Sequence, residues 1–175
     1  VVRLEGACLV RIDEVKLSNQ KSAPKINIAD GGFETAPNFD KWQLRHDDGK
    51  AGIELGRTEA FDGESYLKLT GNSDWGVCLS DLQIPLSPGR RLLFQGVVRA
   101  ASGDGHLKFE YWKNGQFVDH FFSDIVKQDD WTFVSLDSSN IEQPEADMIR
   151  ISLGAGSETK RFSADFDQLS LFVID

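Results

Sequence analysis

The sequence predicts an all-β protein, an antiparallel β-sandwich, and three observations carry that reading. Apolar and polar residues alternate with period two in run after run. Turn signals separate those runs, at Asp62-Gly63, Pro88-Gly89, Gly103-Asp104-Gly105, Asn114-Gly115 and Gly154-Ala155-Gly156. Helical periodicity is nearly missing, since the best stretch, Ile141 to Ala146, is short and contains Pro144. Many short strands at near-regular intervals are the pattern of sheet packed on sheet.

Taken in order, Tyr66-Leu67-Lys68-Leu69-Thr70 puts two leucines on one face and polar groups on the other. Arg91 to Ala100 points Leu92, Phe94 and Val98 inward and leaves Gln95 and Arg99 outside. His106 to Trp112 turns Leu107, Phe109 and Tyr111 in, with Lys108, Glu110 and Trp112 out. Asn114-Gly115 between two aromatic strands is the strongest local hairpin signal, and the returning strand sets His120 and Phe122 on that same outer side. Trp131 to Leu136, Met148 to Leu153 and Asp165 to Ile174 complete the strand set.

The amino-terminal stretch repeats the ending. Val2-Arg3-Leu4-Glu5-Gly6 with Arg11 to Leu17 resembles Ile149 to Gly154 with Phe166 to Leu171: a strand and a glycine, then an apolar-Asp-x-apolar-x-Leu strand. Residues 1–20 therefore read as the terminal strand of a preceding similar module, or as an added edge strand. Residues 21–26, with Pro24, read as a linker, and residues 27–175 as the sandwich.

A chain of 175 residues fits one compact domain, and 40 % hydrophobic residues suffice for a two-layer core. The net charge of −9 argues against electrostatic binding to nucleic acid or to an anionic membrane. No apolar run approaches the ~20 residues that span a bilayer. Val1 opens without a signal peptide, which says nothing if the chain is a piece of a longer protein. Cys8 and Cys78 lack metal-like spacing and read as free, buried small hydrophobes, although a single bridge stays open.

Catalytic signatures are scarce. There is no Gly-x-Ser-x-Gly elbow, no phosphate loop, and no metal spacing among His46, His106 and His120. Acidic pairs of the kind glycosidases use are abundant only because 28 acids always supply pairs. The aromatic residues say more, with four Trp and 12 Phe. If the strands above share one face, Trp112 stands there beside Gln95, Arg99, Lys108 and Glu110, with His120 across the hairpin. An aromatic plate flanked by such groups suits a sugar, whose C–H face stacks while its hydroxyls donate and accept in the plane. Trp42 and Trp131 are expected in the core or at its rim. Glu34, Asp62 and Asp167 suggest a second site, because adjacent first and last strands would gather their oxygens as calcium requires.

These residues also resemble a known family. Asn27-Ile28-Ala29-Asp30-Gly31-Gly32-Phe33-Glu34 followed by Trp42 is similar to the opening of β-jelly-roll carbohydrate-binding modules of the family 4/9/22 type. Asp62 to Leu69 resembles their "G-x-x-S-L-x-V" strand, and Trp75-Gly76-Val77 with Ile84 to Gly89 and Phe94 their "W-x-G … L-x-P-G" region. Trp131-Thr132-Phe133 and Phe166 to Leu171 resemble the close, with Gln168 where the pattern has a second acid. The motifs keep their order across residues 26–175.

The resemblance implies a jelly roll whose concave sheet binds glycan chains and a structural calcium linking the chain ends. The ion would be held by the Gly32 and Ser65 carbonyls with Glu34, Asp62 and Asp167. Trp75 would stack on the sugar, with Trp112 as its partner. The expected protein is a non-catalytic module that binds a polysaccharide or oligosaccharide within a larger extracellular or cell-surface protein, beside neighbouring domains. The alternatives are a structural jelly-roll spacer or protein-contact domain, and a small lyase or hydrolase on the same sandwich.

Overall fold

The computed structural model describes residues 24–28, 31–34, 40–45, 49–87, 89–138 and 145–174. Within them lie β1 (Lys25–Ile26), β2 (Trp42–Arg45), β3 (Ala51–Gly56), β4 (Tyr66–Gly71), β5 (Trp75–Pro85) and β6 (Arg91–Ser102). They are followed by β7 (Asp104–Lys113), β8 (Gln116–Phe122), β9 (Thr132–Asp137), β10 (Met148–Gly156) and β11 (Phe162–Ile174). The strands form two antiparallel sheets. The first has the order β3-β4-β11-β6-β9, with β1 added to β11, and the second runs β2-β5-β10-β7-β8. This is the predicted all-β sandwich of jelly-roll type.

Alternation locates the core. Leu67, Leu69, Phe94, Phe166 and Leu171 of the first sheet meet Leu107, Phe109, Ile151 and Leu153 of the second, all fully buried. Phe94 and Phe109 span the gap between the layers with ring centroids 6.0 Å apart. Each such side chain contributes roughly 1.5–3 kcal/mol by leaving water. Trp42 is buried against Phe33, and Trp131 is half-buried, so both lie in the core or at its rim as expected.

β5 shows no clean alternation because it is covered on both faces over Gly76–Ser80. A strand buried on both sides reads as a continuous apolar run. Its pairing with β10 slips between Arg150 and Ser152, where a bulge adds residues to β5.

Three sequence expectations are corrected here. Gly154-Ala155-Gly156 is not a turn but the end of β10. Gly154 is required there by packing, since a Cβ would meet the His106 ring. Lys25–Ile26, read as the end of a linker, pairs with Leu171 and Phe172, and the Val173 N–H donates to the Pro24 carbonyl at 2.9 Å. Cys78 is buried as a free thiol, and burial pushes its pKa up; Cys8, residues 1–20 and residues 141–144 of the helical stretch lie outside the described residues.

The third correction bears on function. β6 leads into β7 through Gly103 at φ 72°, a left-handed conformation that favours glycine. The two strands do not pair: β6 lies between β11 and β9, and β7 between β10 and β8. The chain arches from one sheet to the other at Gly103. Outward residues of β6 and β7 therefore face opposite sides of the molecule.

Candidate functional site

The outer face of the second sheet carries the candidate site. Register places Trp75 opposite Gly156, His106 opposite Gly154, Lys108 opposite Ser152, Glu110 opposite Arg150, and Trp112 opposite Met148. Across the hairpin, Lys108 pairs with Phe122, Glu110 with His120, and Trp112 with Phe117. The turn itself is Asn114-Gly115 with φ 51° and 76°, the left-handed pair of a tight hairpin.

Of the expected sugar-binding residues, Trp75, Trp112, Lys108, Glu110 and His120 share this face. Trp75 is 54 % exposed at one end of it. Gly156 lies beside Trp75 on β10, and the space over Gly154 is taken by the His106 ring. On β8, His120 stacks between Phe117 and Phe122, each at 6.0 Å, and Phe122 continues to His106 at 5.1 Å. The result is an aromatic row along the edge of the sheet.

Trp112 is not the open plate the alternation suggested. It is only 8 % exposed, because the guanidinium carbons of Arg45 and Arg150 lie 5.0 and 5.4 Å from its ring centroid. Both cations gain from the ring's negative face. Phe117 closes the edge at 6.1 Å.

Beside them sits Glu110, a buried carboxylate at 3 % exposure. It accepts from Ser152 Oγ at 3.2 Å and is ion-paired with Arg45 Nη1 at 3.6 Å and Lys108 Nζ at 3.8 Å. Arg150 Nη2 donates to the Ser80 carbonyl at 2.7 Å. Burial lowers the Lys108 and Arg150 pKa values, and the charge of Arg45 lowers both further. His106 is pushed down to about 4 by burial first, then by Lys108 and His120, so its ring is neutral at pH 7. His120 is also lowered, chiefly by burial. Trp112 Nε1, Arg150 Nε, Glu110 Oε2 and His106 Nδ1 are buried without a hydrogen-bond partner among the described residues. Such groups are rare in finished interiors; these four lie on the candidate face, while Trp42 Nε1, Tyr111 Oη and Asp165 Oδ1 are of the same kind elsewhere.

Gln95 and Arg99 belong elsewhere. They stand on the outer side of the first sheet, where Gln95 pairs in register with Ser170 and Ser135. Arg99 is buried between Tyr66 and Trp131 and bonded to Asp165. Grouping them with Trp112 assumes that strands adjacent in sequence share a sheet, whereas β6 and β7 lie in different sheets. Arg45 and Arg150 were missed. Arg150 had a signal, lying outward between the inward Ile149 and Ile151, whereas the short β2 that carries Arg45 had none.

The acidic residues do converge, around the loop of residues 61–65. Asp167 Oδ2 accepts from the N–H groups of Phe61 and Asp62 at 3.1 and 3.2 Å, and Oδ1 accepts from Gln168 N–H at 2.7 Å. Glu34 accepts from the N–H groups of Glu64 and Ser65 at 2.9 to 3.1 Å. Gln168, at φ 51°, donates its side-chain amide to Asp62 Oδ2 at 3.2 Å and reaches toward Gly32. Burial nonetheless pushes Asp167 up to about 6. This donor set does not fit calcium: each carboxylate is already occupied by N–H donors, and an amide donor stands where the resemblance has an acid. Among the described residues no group of three His, Cys, Asp or Glu is arranged to hold a metal ion. The loop is closed by backbone amides instead.

No protein-family model and no curated protein matches the sequence. Solved structures match it in fold. The CBM22-1 xylan-binding domain of Paenibacillus barcinonensis Xyn10C superposes with TM-score 0.62 over 89 % of this chain and 98 % of its own length, at 13 % identity. TmCBM61, solved with β-1,4-galactotriose, gives 0.54 over 85 % of this chain and 99 % of its own, at 15 % identity. The enzymatically active domain of bacteriophage CBA120 tailspike protein 4 gives 0.65 over 84 % of this chain at 13 % identity, and the match spans only 21 % of that larger chain. The fold is thus the jelly roll shared by carbohydrate-binding modules of families 22, 61 and 16. At these identities the likeness is one of architecture.

Proposed function

We propose that this chain is a non-catalytic glycan-binding module that holds an oligosaccharide or polysaccharide chain along the outer face of the second sheet, as one part of a larger extracellular or cell-surface protein. The observation that carries this reading is the coincidence on one face of an exposed tryptophan, an aromatic row and buried polar atoms that lack partners. Trp75 supplies a ring for stacking, and the row from His106 to Phe117 supplies an apolar wall. Fold likeness to a xylan-binding domain and to a module solved with galactotriose supports it. Glu110, the buried carboxylate of the face, is tied by Ser152, Arg45 and Lys108 and serves as an anchor for them rather than as an acid or base.

The test is a glycan array followed by titration calorimetry with the best oligosaccharide. Saturable binding at one site, with no new reducing ends after prolonged incubation, is the expected result. Absence of binding across plant, microbial and animal glycans would overturn the proposal. Release of product would move the protein to the hydrolase or lyase reading.

A further inference from the structure

The charge of the candidate face differs in sign from that of the whole chain, which carries −9. Around Trp112 three basic side chains, Arg45, Lys108 and Arg150, are gathered against a single carboxylate, Glu110. The nearby acids offset this only in part, Asp81 favouring the Arg150 cation and Asp119 that of His120. Asp104 lies toward the Trp75 end, 3.6 Å from His106 Nδ1, and Asp81 is paired with Lys41 at 3.1 Å. A cationic cluster partly withdrawn from water, in an acidic protein, is unfavourable unless something anionic meets it.

We propose that the glycan held on this face carries a carboxylate, and that Arg45, supported by Arg150, receives it. The inference rests on the glycan-binding reading and adds the chemical class of the ligand. Geometry selects Arg45. Its side chain is 46 % exposed, and its 3.6 Å contact with Glu110 is longer than a hydrogen bond. Ser152 and Lys108 hold Glu110 through Oε1, so the carboxylate stays anchored if Arg45 turns away; Oε2, which makes no hydrogen bond even with Arg45 in place, loses only that ion contact. A guanidinium offers a planar fork that matches a carboxylate with two parallel hydrogen bonds, which the hydroxyls of a neutral sugar do not need.

The same movement has a second consequence. Arg45 is one of the two groups that cover Trp112, so turning it toward a ligand uncovers part of the indole beside the bound carboxylate. An acidic sugar would thereby gain an ion pair and a stacking surface together. Along β10, Gly156 beside Trp75 and Arg150 are six residues apart, ~20 Å at ~3.3 Å per residue, so neutral and acidic units of one chain can occupy the two ends.

The experiment compares an oligouronide with its carboxyl-reduced, neutral counterpart by calorimetry with the full chain, at about 20 mM and about 500 mM salt, where charges are screened over about 20 Å and about 4 Å. The expected result is at least ~10-fold tighter binding of the uronide at low salt, shrinking several-fold at high salt. Arg45→Gln should abolish the preference, and Arg45→Lys should restore only part of it, because charge returns without the fork. Circular dichroism melting of both variants checks that they fold. Equal or tighter binding of the neutral chain, or a sulfated chain outcompeting the uronide, overturns the proposal while leaving the glycan-binding reading standing. No binding of any glycan overturns both.

Discussion

Arg99 Nε donates to Asp165 Oδ2 at 2.9 Å, joining β6 to β11 on the side of the molecule away from the candidate site. The same guanidinium lies 4.6 Å from the Trp131 ring centroid and 5.1 Å from that of Tyr66. Its role is to hold the first sheet together. Removing one partner of a buried pair leaves the other uncompensated, so Arg99→Gln should cost about 3–5 kcal/mol of stability. Urea denaturation measures that loss. Gln95→Ala, on the same sheet, should leave both stability and glycan affinity unchanged in calorimetry; a fall in affinity would return that face to the binding site.

Trp75 and Trp112 should respond differently to truncation. Trp75 is exposed, so Trp75→Ala should weaken glycan binding by roughly 1–3 kcal/mol, the range for an aromatic platform, with the melting temperature unchanged. Trp112 is packed beneath two arginines, so Trp112→Ala should destabilise the fold by about 3 kcal/mol or more, the usual cost of emptying a buried indole site. Parallel titration and melting of the two variants decides the matter. Loss of affinity with full stability in the Trp112 variant would mean that the ring is bare in solution.

The loop of residues 61–65 depends on Asp167 and Glu34 as acceptors. Asp167→Ala leaves three part-buried N–H donors without their partner, and an orphaned donor costs up to about 1–3 kcal/mol when water cannot reach it. The variant should therefore lose at least ~2 kcal/mol in chemical denaturation. Since amides rather than a cation close the loop, the native melting temperature should be the same with millimolar calcium as with chelator. A calcium-dependent rise of several degrees would show an ion competing for these carboxylates. Gln168→Asp restores the acid found in the resembling pattern and should increase calcium sensitivity.

His106 makes stability fall at acid pH. Its folded pKa, about 4, lies below the ordinary histidine value of 6.5 because the ring is buried beside Lys108 and His120, with Asp104 as the nearest acid. Between those values the unfolded chain binds the extra proton and the folded one does not. The contribution is thus complete above pH 6.5 and is lost as pH falls toward 4. Asp167, raised to about 6 by burial, carries the opposite sign, favouring the fold at low pH and losing that advantage as pH rises through 6. The His106 share is read as the difference between the native protein and His106→Gln in denaturation curves from pH 4 to 8. A resonance assigned to His106 that titrates near 6.5 would contradict the assignment.

Inside and outside were legible from sequence because the pleat is local. Alternate residues of β4, β6, β7, β10 and β11 point to opposite faces whatever their partners, so Leu107, Phe109 and Tyr111 were placed inward and Lys108, Glu110 and Trp112 outward from spacing alone. The Asn114-Gly115 hairpin was equally legible, since the left-handed turn is a property of those two residues. Which outer face a residue joins was not. It depends on the arch at Gly103 and on pairings between strands far apart in sequence, such as β11 with β4 and β6. The contact of Arg45 with Trp112 is of this kind, because β2 and β7 are brought onto one face only by the order β2-β5-β10-β7. Side-chain direction follows from backbone geometry one residue at a time, whereas a binding face is assembled from strands whose neighbours are chosen by burial of the whole core.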